Sequence, residues 1–159
     1  MKQTSIFDTH HSPQKHQWHL FIDGAARHNP GQAGAGVYLL KDNEPVIKKG
    51  FYLGIKTNNQ AEYLALLLGL YFAKKQLSSD ESVIIYSDSE LLVKQMHGVY
   101  RVKNPELRVL FDCAHTYRPF FSFSLHHILR HKNTIADELA NKGIDKKVSL
   151  PADFLSVCL

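Results

Sequence analysis

The apolar residues of the chain recur with two periods. HLFID, residues 19–23, alternates and then runs apolar, a period of two that predicts a strand. AGVYLLK (35–41) is rich in residues that suit a pleated sheet, and PVIKKGFYLG (45–54) follows it across a DNEP turn, so three strands joined by short turns predict an antiparallel meander. NNQAEYLALLLGLYFAKKQL (58–77) then changes character: strong helix formers, an Asn near the start and lysines in the last turns, where they suit the helix dipole. SVIIYSD (82–88) predicts a short buried strand. SELLVKQMHG (89–98) predicts a short helix capped by Ser89 and stopped by Gly98, and PELRVLFDCAHTY (105–117) a further helix with Pro105 in its first turn. FFSFSLHHIL (120–129) alternates as a strand. NTIADELANKG (133–143) predicts a last helix, capped by Asn133 and closed by Gly143. Three strands followed by alternating helix and strand predict an α/β fold, a mixed sheet flanked by helices.

No repeat and no linker divides the chain, and 159 residues suffice for one domain with a core. We expect an N-terminal flexible arm at 1–16, a catalytic domain at 17–145 and a C-terminal tail at 146–159. The arm region is polar and lacks the apolar stretch of a secretory signal. Its neighbourhood holds His10, His11, His16 and His19, which invite adventitious rather than functional metal binding. A hydrophobic fraction of 44% argues against disorder, and no apolar run reaches the roughly 20 residues that span a bilayer. Cys113 and Cys158 have neither metal-ligand spacing nor the look of a disulfide framework, so the expectation is a reducing cytoplasm. A net charge of +4 leans towards an anionic partner.

Four carboxylates stand where this architecture builds sites. Asp23 ends the first predicted strand, Asp88 ends the fourth, Glu62 lies one turn into the first helix and Asp137 in the first turns of the last. Strand ends in α/β sheets are habitual site positions. Each acid alone also fits a turn, cap or dipole role. Four together would repel one another and resist ionisation when buried, a costly arrangement without a cation to neutralise it. Oxygen-only ligands select hard ions, Mg²⁺ or Mn²⁺, and two such ions about 4 Å apart can activate water and stabilise a leaving oxygen in phosphodiester cleavage.

Four segments, FIDGAARHNPGQAGAGV, TNNQAEYLALLLGL, YSDSELLVKQMHG and RHKNTIADELA, occur in an order and with acids that resemble the type 1 ribonuclease H family, including the ribonuclease H domains of reverse transcriptases. The resemblance covers roughly residues 18–143. It implies a five-stranded mixed sheet with helices on both faces and hydrolysis of the RNA strand of RNA/DNA hybrids, leaving 5′-phosphate and 3′-hydroxyl ends. It makes Asp23, Glu62, Asp88 and Asp137 the ligands of two divalent ions, Mg²⁺ or Mn²⁺, with Asp23 bridging them. Asn29 and Asn59 match minor-groove contacts to RNA 2′-hydroxyls, and Thr57 matches a position near a DNA phosphate. The bland readings are turn chemistry for Asn29 and a helix cap for Asn59.

The chain also departs from the family pattern. The loop before the last acid, LRHKNTIAD, is short; His131 is a catalytic candidate by type, but Arg130 can occupy the same space, while His126 and His127 read as structural. HGVYRVKNPEL passes directly between helices without the basic insertion of some relatives, leaving Lys94, Arg101, Lys103 and Arg108 as a modest positive surface. The expected molecule is therefore a protrusion-free, monomeric enzyme acting on RNA/DNA hybrids, with no membrane and no obligatory protein partner. The competing reading is a catalytically weak nucleic-acid-binding module on the same fold. Gly31, Gly34 and Gly36 do not fit a dinucleotide fingerprint and read as turn and strand-entry glycines.

Overall fold

A computed structural model describes residues 15–154. Five strands form one sheet in the order β3-β2-β1-β4-β5. They are β1 (Trp18–Ala26), β2 (Gly31–Lys41), β3 (Glu44–Lys56), β4 (Ser82–Ser87) and β5 (Ser122–His127). The first three pair antiparallel, and β1–β4 and β4–β5 pair parallel, so the sheet is mixed as expected. The β2–β3 hairpin turns at Asp42 and Asn43, both at positive φ, the backbone that a two-residue turn needs to match strand twist.

Helix α1 (Asn58–Gln76) lies against one face and is buried along most of its length, Ala61 to Ala73, because it is enclosed by the sheet and by α3 (Pro105–His115). Its cap is Thr57 rather than an Asn: the Thr57 hydroxyl accepts from Gln60 N while the Gln60 side chain accepts from Thr57 N, a reciprocal capping box. Short α2 (Glu90–Met96) starts at Ser89, whose hydroxyl accepts from Leu92 N, and Gly98 follows it at φ +79°, as the sequence predicts.

The last helix, α4 (Thr134–Asp145), crosses the opposite face over β1, β2 and β3. It comes down onto main chain. A Cβ at Gly36 would stand 2.0 Å from the Ala136 carbonyl oxygen, and one at Gly50 would stand 1.8 Å from that of Leu139. Gly34 and Gly36 therefore belong inside β2 as the floor beneath a helix, not at a turn or strand entry. Gly143 likewise does not close α4. The helix runs on to Asp145, and Gly143 packs against the backbone of Phe51.

Because α4 covers only three strands, β4 is buried on one face alone. Val83, Ile85 and Ser87 are inside and Ile84 is exposed, so the buried strand expected from the sequence is buried on this face only. The C-terminal residues to Phe154 close the edge beside β3, where Tyr52 N donates to Val148 O; Phe154 is buried edge-on to Tyr71. At the other end Lys15 reaches the Asp80 carbonyl and His16 shares a hydrogen bond with Asp42. Cys113 is disulfide-bonded, contrary to the expectation that the cysteines stay unpaired. Among the described residues no helix is long and apolar enough to cross a membrane. His10 and His11 of the N-terminal stretch lie outside the described residues.

Candidate active site

Asp23 is not the end of β1. The strand continues three residues further, to Ala26, paired with β2 throughout. What ends nearby is the parallel ladder to β4, whose last rungs are Phe21 with Tyr86. Past that point β1 and β4 part, and the gap receives Asp23 from β1 and Asp88 from the residue after β4. Glu62 enters from the first turns of α1. Its Oε1 accepts from Gly24 N at 2.6 Å, which ties the helix to the strand beside Asp23. A side chain at Gly24 would stand 2.2 Å from the Ala61 carbonyl carbon, so this close seat exists only for glycine.

Asp23, Glu62 and Asp88 each offer a carboxylate oxygen, and these lie within 4.8 Å of one another. Asp137, on the first turns of α4, faces Asp23 closely enough to hydrogen-bond with it. Asp23 is only 5% exposed. Burial raises its pKa far above the usual carboxylate range, and the charges of Glu62, Asp88 and Asp137 add to the rise. Burial raises that of Glu62 as well; the Gly24 N–H and the Arg130 guanidinium oppose the rise without cancelling it. The four acids predicted from the sequence thus converge on one place, with more negative charge than the surrounding protein neutralises.

Asn29 sits in the exposed turn after β1, and its Oδ1 accepts from Asn58 N at 3.0 Å, bringing the turn against the start of α1. Asn59 is exposed on the first turn of that helix, and Thr57 is its cap. His131 is exposed on a 3₁₀ turn, Arg130–Lys132. Within that turn it is the Arg130 charge that is felt at Glu62. His126 and His127 project from β5, with the His126 ring beside Tyr86.

Asn133 takes a different role from the expected cap. It occupies the N-cap position of α4 with no side-chain capping bond. Its Nδ2 donates instead to the Ile22 carbonyl at 2.8 Å and to Asp88 Oδ2 at 3.2 Å. In the sequence, an Asn followed by Thr at a helix start is indistinguishable from a cap, and only the partners reveal the difference.

A reverse transcriptase-like family model matches residues 21–143. Ribonuclease HI of Halobacterium salinarum is 36% identical over 129 residues, 80% of this chain and 64% of the relative. A bifunctional protein of Mycobacterium tuberculosis is 38% identical over 126 residues, 77% of this chain. The match spans only 34% of that relative's length. Among solved structures, RNase H1 from H. salinarum superposes with a TM-score of 0.76 at 36% identity, covering 82% of this chain and 98% of the other. LC11-RNase H1, solved in complex with an RNA/DNA hybrid, gives a TM-score of 0.73 at 38% identity, with coverage of 82% and 98%. A family model matched across all four acids, and neighbours matched over nearly their whole length, lead to one conclusion: the chain belongs to the type 1 ribonuclease H family.

Proposed function

We propose that this protein is an endoribonuclease that hydrolyses the RNA strand of RNA/DNA hybrids, leaving 5′-phosphate and 3′-hydroxyl ends. One observation carries the reading. Three carboxylates share a space of 4.8 Å with a fourth beside them, and burial and mutual repulsion hold the pKa of two of them far above their ordinary range. At neutral pH such a cluster is compatible with full ionisation only around bound cations. All its donors are oxygens, which fits Mg²⁺ or Mn²⁺.

On this reading Asp23, Glu62, Asp88 and Asp137 hold two divalent ions. Such ions supply a water of lowered pKa and positive charge for the oxygen that leaves. The chain's own contribution is placement. Asp23 lies centrally on rigid β1, and the Gly24 N–H fixes the Glu62 carboxylate. Asn29 and Asn59, on either side of the junction between the first turn and α1, would meet 2′-hydroxyls of the RNA strand, the feature that separates RNA from DNA. Thr57 stands at the N-terminus of α1, where the helix dipole favours a phosphate of the DNA strand. His131 is assigned to proton transfer or product release, with Arg130 as the competing occupant of that position.

The deciding experiment is cleavage of an end-labelled RNA/DNA hybrid, double-stranded RNA and double-stranded DNA, each in Mg²⁺ and in Mn²⁺. Cleavage confined to the RNA of the hybrid is the expected result. Hybrid binding with no cleavage in either metal would instead identify a binding module.

A further inference from the structure

The gap that admits the acids leaves one main-chain group without its sheet partner. The β1–β4 ladder ends at Phe21 and Tyr86, so the Ile22 carbonyl lies beyond its last rung. Asn133 Nδ2 fills this vacancy at 2.8 Å, and the same nitrogen donates to Asp88 Oδ2 at 3.2 Å. The residue is 1% exposed. Its backbone oxygen also accepts from Asp137 N at 3.1 Å. The side chain of Asn133 therefore joins the strand that bears Asp23 to the carboxylate of Asp88, while its backbone carbonyl holds the turn that presents Asp137.

The orientation of the amide has a cost. With Nδ2 directed at two acceptors, Asn133 Oδ1 is left buried and has no hydrogen-bond partner among the described residues. Leaving an acceptor unpaired in the interior is unfavourable. Turning the amide over would set its oxygen against the Ile22 carbonyl and the Asp88 carboxylate, which is worse. The demand for donors at those two oxygens thus fixes the side chain.

We propose that Asn133 is a positioning residue of the metal centre: its amide holds the Asp88 carboxylate in place where β1 and β4 part, and thereby sets the affinity for the divalent ions. This rests on the reading of the acid cluster as a cation site. With the amide present, Asp88 enters the site in one orientation. Without it, the carboxylate is free to turn, and each ion must order it on binding.

The test is calorimetric titration of the full chain with Mn²⁺, in wild type and in Asn133→Ala, alongside hybrid binding in EDTA. The variant should bind Mn²⁺ at least fivefold more weakly while its metal-free hybrid affinity stays within twofold. Unchanged Mn²⁺ affinity, or an equal fall in both quantities, would overturn the proposal, the latter by showing a purely structural role through Ile22. Should Asn133→Ala fail to fold, nuclear magnetic resonance on ¹⁵N-labelled wild type gives the answer directly. The Asn133 side-chain amide protons should exchange slowly and shift when Mg²⁺ is added; a rapidly exchanging or unshifted pair would refute the assignment. A wild type that neither binds Mn²⁺ nor cuts hybrid would instead refute the functional reading itself.

Discussion

Gly24 and Glu62 are joined by a 2.6 Å hydrogen bond from the backbone N–H of one to Oε1 of the other. The bond brings the helix-borne acid to the strand-borne one, Asp23, and relies on a glycine, since any Cβ at 24 would collide with the Ala61 carbonyl. Gly24→Ala should therefore separate α1 from β1. Overpacking of this kind typically costs about 1–3 kcal/mol. A chain of this size would lose roughly 3–10 °C of thermal midpoint. Cleavage should fall by more than the loss of folded protein explains. A variant as active and as stable as wild type would show that the helix start yields easily.

Asp88→Asn removes a charge from the cluster with little change of shape. Loss of a ligand in phosphoryl transfer costs several kcal/mol of transition-state stabilisation, about a thousandfold or more in rate. Stability should hold or rise, because repulsion among the acids is relieved. Retention of more than about a tenth of wild-type cleavage in a single-turnover assay would remove Asp88 from the metal centre.

The raised pKa of Asp23 predicts how stability varies with pH in the absence of metal. The folded state holds the proton more tightly than the unfolded chain, so the group favours folding below its ordinary pKa of 3.8, and that contribution is lost as pH rises towards about 9. The thermal midpoint of the metal-free protein should fall across this window and recover on addition of Mg²⁺. Asp23→Asn should flatten the profile and raise the midpoint at pH 8 relative to wild type. A metal-free profile that is already flat between pH 5 and 8 would mean that the carboxylates do not repel in solution as their placement implies.

Specificity for RNA should be strong. If the strand opposite Asn29 and Asn59 lacks 2′-hydroxyls, polar groups lose their partners at about 1–3 kcal/mol each. A DNA duplex of the same sequence should not be measurably cut under conditions in which the hybrid is. Asn29→Ala should weaken cutting of the hybrid and also loosen the start of α1, because its Oδ1 holds Asn58 N. Equal cleavage of hybrid and DNA duplex would contradict the assigned contacts.

Hybrid affinity should depend only shallowly on salt. Of the positive residues on α2, α3 and their connection, Lys94 is paired with Glu90 at 2.6 Å and Arg108 with Asp112 at 3.1 Å. Arg101 and Lys103 remain, with no basic insertion to assist them. A slope equivalent to about three to five phosphate contacts, at about 0.9 per contact, is expected for the Asp88→Asn protein in Ca²⁺. A slope of about eight contacts or more would reveal another gripping surface.

The strand and helix order, the Ser89 cap and the Gly98 stop were legible because each depends on local pattern. The four acids were legible because they recur in a recognisable order of segments. Asn133 was not, since its partners Ile22 and Asp88 lie far away in sequence and its neighbours resemble a helix cap. The roles of Gly36, Gly50 and Gly143 were hidden for the same reason: a glycine beneath a helix has the same letter as a glycine in a turn. The exposed face of β4 followed from where α4 happens to lie, which no property of SVIIYS announces.

Gln60 closes the capping box of α1 and also donates from Nε2 to Glu106 of α3 at 2.7 Å. The first turn of α1 is thereby pinned from both sides, and Asn59 and Glu62 ride on it three residues apart. If Asn59 reads the RNA strand and Glu62 serves its cleavage, as proposed, recognition and scission share a single rigid ruler, about one helical turn long. The cut should fall at a constant offset from the ribonucleotide being read, whatever the surrounding sequence, and a substrate with one ribose replaced by deoxyribose should lose particular cleavage positions without shifting the others.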